Sequence, residues 1–285
     1  MESIMLSHKT ILILAAVFAG VALAVLSFAG GPESGETIVV TTSMLEHAVN
    51  DVTGGTSDIE IVTLIPPGSC PGHFDLSPRL VPLINRASLV IRHDYQGMLE
   101  ERIRKRAGDN INVLTVETGR SLLIPQEYAA FAERIATAME KSDRIGAFRE
   151  TASTEDLTRR MSTLAGELQR RAEPFRGKPV IAAVHMKPFA EWLGFDVTGV
   201  IKRPEDMSPR DIEALVKTDA QIIIGNLQEG TDSALTLGEM KGIPVAILSN
   251  FPDAPDYGKG IVELIEKNMT RIELAWNNRL SLSMK

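Results

Sequence analysis

The chain has 285 residues, of which 44% are hydrophobic and 24% are charged, and its formal net charge at pH 7 is −7. These values are typical of a globular protein with enough apolar side chains for one large core or two smaller ones, and they exclude a disordered chain and a multi-span membrane protein. Because no Lys/Arg-rich block attracts a phosphate backbone and aromatic residues are few, we expect no nucleic-acid partner.

The N-terminal segment differs from the rest of the sequence. An uncharged apolar run extends over residues 11–29, and as a helix it would be about 28 Å long, close to the thickness of a bilayer's hydrocarbon core. Ser27, Phe28 and Ala29 form a small-x-small cleavage signal, so residues 1–34 are either a signal peptide or a membrane anchor. Both alternatives predict an exported protein, in the periplasm or at the cell surface.

Short strand-like runs alternate with helical patterns along the remaining sequence. The eight runs are 38–42, 59–65, 88–92, 112–116, 179–184, 196–201, 221–225 and 244–248. Between them lie stretches with apolar residues at helical spacing, such as 208–220, where Ser208 can cap a helix and Pro209 fits its first position. This alternation predicts an α/β fold with two lobes, each built on a parallel sheet.

A long region without strand-like runs separates the two halves, from residue 126 to about residue 175. Its last part opens on a Ser153-x-x-Asp156 capping box and carries apolar residues at helical spacing. A helix over 154–174 would be about 30 Å long, enough to join the lobes as one rigid strut. The alternative is two helices that belong to one lobe. The predicted domains are an N-terminal lobe at 35–150, a linking helix at 151–176 and a C-terminal lobe at 177–285.

Three residues of metal-ligand type follow predicted strands. His73 lies in a Pro- and Gly-rich loop after the second run, His185 follows the fifth run directly, and Asp253 follows the eighth. Ligands of open α/β sheets bind beyond the carboxyl ends of the strands. Two imidazoles with one carboxylate suit zinc, manganese or iron. Each histidine taken alone fits an ordinary polar residue better than a ligand.

Other residues near strand ends leave alternatives open. His93 and Asp94 follow the third run and are uncertain candidates. Cys70 is the single cysteine, so it can form no intramolecular disulfide. It is either a small buried hydrophobe or a metal ligand.

Three parts of the sequence carry a resemblance to a known family. They are "LIPPGSCPGHFDLSP" with the following "LINRASLVIRHDYQGMLEERI", then "VIAAVHMKPFAEWLGFDVTGVI", and finally "GIPVAILSNFPDAPDYGKGIVELIEKN". In this order they resemble the signatures of the substrate-binding proteins of zinc and manganese ABC importers. The resemblance covers residues 37–282. It implies two α/β lobes joined by one rigid helix, with a metal bound in the cleft by His73, His185 and Asp253.

The sequence departs from the family's pattern at one position. The family usually supplies another histidine shortly after the fourth strand, and an ungapped count from Pro125 places Arg120 there. An arginine cannot ligate a cation and would repel one. Glu117 or Cys70 would complete four-coordination; otherwise a position stays open for water or for an anion that Arg120 attracts. Glu229, in the turn "GNLQEGTD", is interpreted either as an exposed carboxylate or as a group that supports a ligand.

The resemblance implies transport and not catalysis. The protein would capture Zn²⁺ or Mn²⁺ outside the cell and present it to a membrane permease that an ATPase drives, and we expect it to be a monomer. One alternative is a binding protein of the same fold for an anion or a metal chelate, without affinity for bare metal. A second is a metalloenzyme with the same ligands, but the sequence has no HExxH motif and no Ser-centred nucleophile elbow.

Overall fold

Eight strands form two separate parallel sheets in the part of the chain that the computed structural model describes, residues 36–55, 59–141 and 154–282. These residues belong to one compact unit that begins at Glu36. The predicted N-terminal segment 1–34, with its apolar run, lies outside the described residues. Among the helices within these ranges, none combines the length and the apolar character needed to cross a bilayer.

The first lobe is built on a sheet with the strand order β2-β1-β3-β4. Its strands are β1 (Glu36–Val40), β2 (Ile59–Thr63), β3 (Leu89–His93) and β4 (Val113–Val116), and its helices are α1 (Ser43–Thr53), α2 (Val81–Arg86), α3 (Gly97–Ala107) and α4 (Pro125–Glu140). Val40 pairs with Thr63 on one side and with Ile91 on the other. β1 is therefore central, and the strand order reverses between β1 and β3.

The second lobe repeats this topology with the strand order β6-β5-β7-β8. Helix α5 (Thr154–Arg171) leads into it. Its strands are β5 (Pro179–Ala183), β6 (Asp196–Ile201), β7 (Ile222–Asn226) and β8 (Val245–Leu248), and its helices are α6 (Lys187–Trp192), α7 (Pro209–Lys217), α8 (Asp232–Lys241) and α9 (Gly260–Leu282). All pairings in both sheets are parallel. The predicted α/β class with two parallel-sheet lobes is thus confirmed.

Helix ends follow from local sequence. Thr42 precedes α1 in an extended conformation, and its side-chain oxygen accepts a hydrogen bond from a backbone N–H of the first turn. Gly54 ends the same helix in the left-handed region, which favours glycine. Ser208 and Asp211 form a capping box at α7, with Pro209 at its start. The sequence-based prediction for the start of α7 is confirmed.

Helix α5 connects the lobes. It packs along α4 and against α1 in the first lobe. At its other end Gln169 Nε2 donates to the Trp192 carbonyl (2.7 Å) in the second lobe. Arg171 donates to both carboxylate oxygens of Glu273 (2.9 and 2.8 Å) and to Glu266 (2.5 Å), which ties α5 to α9. The helix bridges the two lobes, and it ends at Arg171 instead of the predicted residue 174.

One buried hydrophobic cluster contains residues of both lobes. Leu45 of α1 and Leu264 of α9 belong to it and are fully buried, and α9 packs against α1 as well as against β7 and β8. Phe175 stacks on Phe195 with ring centroids 4.8 Å apart and meets Trp276 edge-on at 5.3 Å. Because the lobes share this apolar core, they cannot separate without exposing it to water.

Replacing Phe175 by alanine should lower the free energy of unfolding by about 3–5 kcal/mol, because a large buried aromatic leaves a cavity. Urea unfolding should show one transition, in which far-UV circular dichroism coincides with the fluorescence of the second-lobe residues Trp192 and Trp276. Leu274→Ala, at a position of α9 that is 58% exposed, is the matched control and should change stability by less than about 0.5 kcal/mol. Two separate transitions would contradict a shared core.

Candidate functional site

The strand order reverses at one point in each sheet, between β1 and β3 and between β5 and β7. Such a point leaves a crevice at the carboxyl ends of the strands, where ligands of open α/β sheets bind. A cavity of about 530 Å³ is lined by residues at or after these strand ends, among them Met44 and His93 in the first lobe and His185 and Glu229 in the second. The two crevices therefore open into one cleft between the lobes.

His185 and Glu229 form a hydrogen-bonded pair in this cleft. His185 follows β5 and Glu229 lies in the turn after β7, where its backbone N–H donates to the Asn226 side chain (2.9 Å) and so fixes the turn. His185 Nδ1 donates to Glu229 Oε1. The Glu229 side chain is 8% exposed and that of His185 is 56% exposed. The pair leaves His185 Nε2 for a ligand, as when a carboxylate orients a metal-binding imidazole.

His73 lies where the two lobes meet. It ends a single 3-10 turn, Pro71–His73, in the loop after β2. Its exposed side chain places Nε2 3.4 Å from Glu205 Oε1, which belongs to the turn after β6 in the other lobe. In the same loop, the Pro67 carbonyl accepts a hydrogen bond from Gln228 Nε2 (3.0 Å). The Pro- and Gly-rich loop therefore contacts the second lobe at two points.

Asp253 is directed away from the cavity by the turn after β8. The Ser249 hydroxyl donates to the Phe251 carbonyl (2.9 Å) and accepts from the Phe251 N–H (3.1 Å). This turn brings Asn250 and Phe251 to the cavity lining. Asp253 has a left-handed backbone (φ 64°), and its carboxylate accepts a hydrogen bond from His47 Nε2 of α1 (2.7 Å).

The predicted ligand set of His73, His185 and Asp253 is not assembled in this structure. Across residues 36–55, 59–141 and 154–282, no three side chains of histidine, cysteine, aspartate or glutamate are grouped so that they could hold a metal ion. Asp253 does not join the two histidines because the turn after β8 places its carboxylate beside His47 of α1. Of the two residues considered for a fourth position, Cys70 lines the cavity, whereas the exposed Glu117 is not among the lining residues.

Arginines converge on the cavity. Arg102, Arg120 and Arg203 all line it, against the carboxylate of Glu229. Arg120 also contacts Glu127 (3.2 Å), while Arg102 donates to a backbone carbonyl (2.8 Å). Sequence reasoning predicted Arg120 from its place after the fourth strand. The sequence did not indicate that Arg102 and Arg203 line the cavity, because α3 and the turn after β6 carry no motif typical of a binding site.

His93 forms the floor of the first-lobe crevice and is fully buried. The Thr118 hydroxyl donates to Asp94 (2.8 Å), so it accepts its other hydrogen bond from His93 Nδ1 (3.0 Å). His93 Nε2 then accepts from the Thr42 hydroxyl (2.9 Å). Burial lowers the pKa of His93 to about 3, although the charge of Asp94 opposes this shift. With both nitrogens engaged, His93 is a neutral structural residue and offers no nitrogen to a ligand.

Comparison of the sequence with known families identifies one match. The profile of the family described as zinc-uptake complex component A, periplasmic (ZnuA) matches residues 38–275. The chain belongs to this family. A sequence search of curated proteins finds no match. The ZnuA family places the protein among the periplasmic or extracellular metal-binding components of ABC transporters.

Solved structures share the ZnuA fold at low sequence identity. A crystal structure of ZnuA is 14% identical with a TM-score of 0.66, over 86% of this chain and 98% of that chain. The laminin-binding protein of Streptococcus agalactiae, described as having adhesin and metal transporting activity, is 17% identical with a TM-score of 0.66, over 85% and 100%. A Mn-bound mutant of a periplasmic metal-binding protein from Candidatus Liberibacter asiaticus is 13% identical with a TM-score of 0.66, over 84% and 99%. These likenesses establish the two-lobed fold.

His93 should make the folded state lose stability on acidification. In the unfolded chain a histidine takes up a proton below its ordinary pKa of 6.5, whereas the folded state keeps His93 neutral down to about pH 3. Unfolding therefore binds a proton in this window, and His93 should lower the free energy of unfolding by about 1.4 kcal/mol per pH unit below 6.5.

The variant His93→Gln keeps a donor and an acceptor for the two threonines but cannot titrate. Urea unfolding of the two proteins between about pH 7.5 and 5 should show the steeper loss of stability in the wild type. Equal pH dependence of the two proteins would contradict a buried neutral histidine.

Proposed function

We propose that the chain is the extracytoplasmic solute-binding component of an ABC importer whose cargo contains a divalent transition metal, Zn²⁺ or Mn²⁺. The observation that carries the proposal is the His185–Glu229 pair, which lies in the interlobe cleft of a ZnuA-family fold. The metal transporting activity named for the streptococcal protein and the Mn²⁺ bound to the Liberibacter protein support the same class of cargo.

Glu229 fixes the tautomer of His185 that can bind a metal. Its carboxylate accepts from Nδ1, so the lone pair of the neutral imidazole is on Nε2. Because the Glu229 side chain is almost fully buried, water competes little for its carboxylate, and the hydrogen bond fixes the orientation of the imidazole. His185 is in turn half exposed to the cleft, where a cargo molecule can reach it. This arrangement binds a metal and provides no catalytic step.

Delivery would bring the loaded protein to a membrane permease that an ATPase drives. The core shared by the lobes limits their relative motion, so release requires a local change. The loop 66–76 is suited to this change, because two contacts, His73 with Glu205 and the Pro67 carbonyl with Gln228, hold it to the opposite lobe. The protein would act outside the cytoplasm as a monomer.

Glu229→Gln should weaken metal binding by about 10–100-fold, because the amide no longer places a negative charge behind His185. His185→Ala should weaken it at least as much. Glu213→Gln is the matched control, since it removes an exposed carboxylate of α7 that is outside the cavity lining, and it should leave affinity within about twofold. Retained Zn²⁺ and Mn²⁺ are measured by elemental analysis after equilibration of the full-length protein, in citrate and in a non-coordinating buffer.

Absence of retained metal in both buffers would overturn the proposed function. Loss of binding in His73→Ala and Asp253→Asn, equal to that in His185→Ala, would show that the three-ligand set predicted from the sequence assembles around the metal. In that case the pair His185–Glu229 would not be the main determinant of affinity.

A further inference from the structure

The cavity is larger than a bare metal ion requires. Its volume of about 530 Å³ lies within the range of about 300–1,000 Å³ typical of sites for organic ligands. A zinc ion bound by protein side chains at about 2.0–2.3 Å occupies only the gap between them. The apolar side chains of Met44, Leu122, Leu123 and Phe251 line part of the cavity, and they can pack against a carbon skeleton.

The charge of the cavity favours an anion over a cation. Three guanidinium groups line it against one carboxylate, and Arg203 also lies within ion-pair distance of Glu205 and Asp206 (3.7 and 3.6 Å). Arg102 has no carboxylate partner within ion-pair distance in the ranges that the structure describes, and its hydrogen bond goes to the Phe74 carbonyl. The Arg120 side chain is 74% exposed and lies beside Glu127. Guanidinium groups repel a free cation but bind carboxylates through paired hydrogen bonds.

Gln96 provides an independent observation. It lines the cavity and is 4% exposed. Its Oε1 accepts from the His93 backbone N–H (3.0 Å) and from the Thr41 hydroxyl (2.6 Å), which fixes the orientation of the amide. Its Nε2 is buried and has no hydrogen-bond partner among the described residues. A buried donor of this kind is unfavourable unless a ligand supplies an acceptor.

We propose that the metal enters the cleft as a complex with a small organic polycarboxylate. Arg102, Arg120 and Gln96 bind carboxylate oxygens of the chelator, and His185 Nε2 fills one coordination position of the metal. The chelator supplies the remaining metal ligands, which accounts for the lack of a three-residue ligand group in the described part of the chain. This assignment rests on the proposed function and names the class of its cargo.

Calorimetric titration of the full-length protein with four probes tests this assignment. The probes are zinc chloride, zinc citrate, zinc nitrilotriacetate and sodium citrate. At least one zinc complex should bind about tenfold or more tightly than either zinc chloride or sodium citrate. Arg120→Gln and Gln96→Leu should each weaken binding of that complex about tenfold, whereas neither should weaken binding of zinc chloride.

Lys105→Gln is the matched control for charge. It removes one positive charge from an exposed position of α3 that is not among the cavity-lining residues, and it should leave all four affinities unchanged. An effect equal to that of Arg120→Gln would mean that only the overall field of the protein matters, and it would overturn the assigned contact.

The remaining outcomes separate this inference from the proposed function. Tight binding of zinc chloride without any gain from citrate or nitrilotriacetate would overturn the chelate inference and leave metal transport standing. Binding of sodium citrate as tight as that of the zinc complexes would overturn the inference and remove the metal from the function. Failure of all four probes to bind would overturn both.

Discussion

The apolar core shared by the two lobes is the constraint on which the cleft depends. Helices α1, α5 and α9 contribute to it from both sides, and the aromatic group around Phe175 closes it at the end of α5. Because both sheets are fixed to one core, the carboxyl ends of β1 and β3 stay opposite those of β5 and β7. The backbone therefore determines where a ligand binds, and the loop side chains determine which ligand it is.

Two histidines of the cleft, both at the end of a strand, differ in their chemistry. His93 and His185 both stand at the carboxyl end of a strand beside a strand-order reversal. Burial and two threonine hydroxyls make His93 a neutral part of the floor. His185 instead has a buried carboxylate on one nitrogen and an exposed half in the cleft, which suits the metal-binding role proposed for it. Their neighbours, supplied by distant parts of the chain, decide the difference.

The fold was predictable because its signals are local: strand-like runs, helical spacing and capping residues such as Ser208 act within a few residues. The place of a side chain in the cleft was predictable only where a strand end fixes it, as at His185, which comes two residues after β5 and lines the cavity. Asp253 stands five residues after β8, so its position depends on the hydrogen bonds of the Ser249 turn, which leave no periodic pattern. Arg102 lines the cavity because α3 packs beside it. Such packing between distant segments cannot be inferred from a single sequence.

The contact between α9 and α1 also affects how the protein folds during its synthesis. Helix α9 is the last helix described and α1 is the first, and bonds such as that from Ser43 Oγ to the Pro252 carbonyl (2.7 Å) link segments 209 positions apart. During synthesis the part of α1 that packs against α9 is uncovered when the first lobe emerges, and it stays so until residues beyond 260 appear. A chain that stops before α9 would display that face to chaperones and proteases. The contact between α1 and α9 thus makes the final packing of the first lobe depend on segments that are synthesised much later.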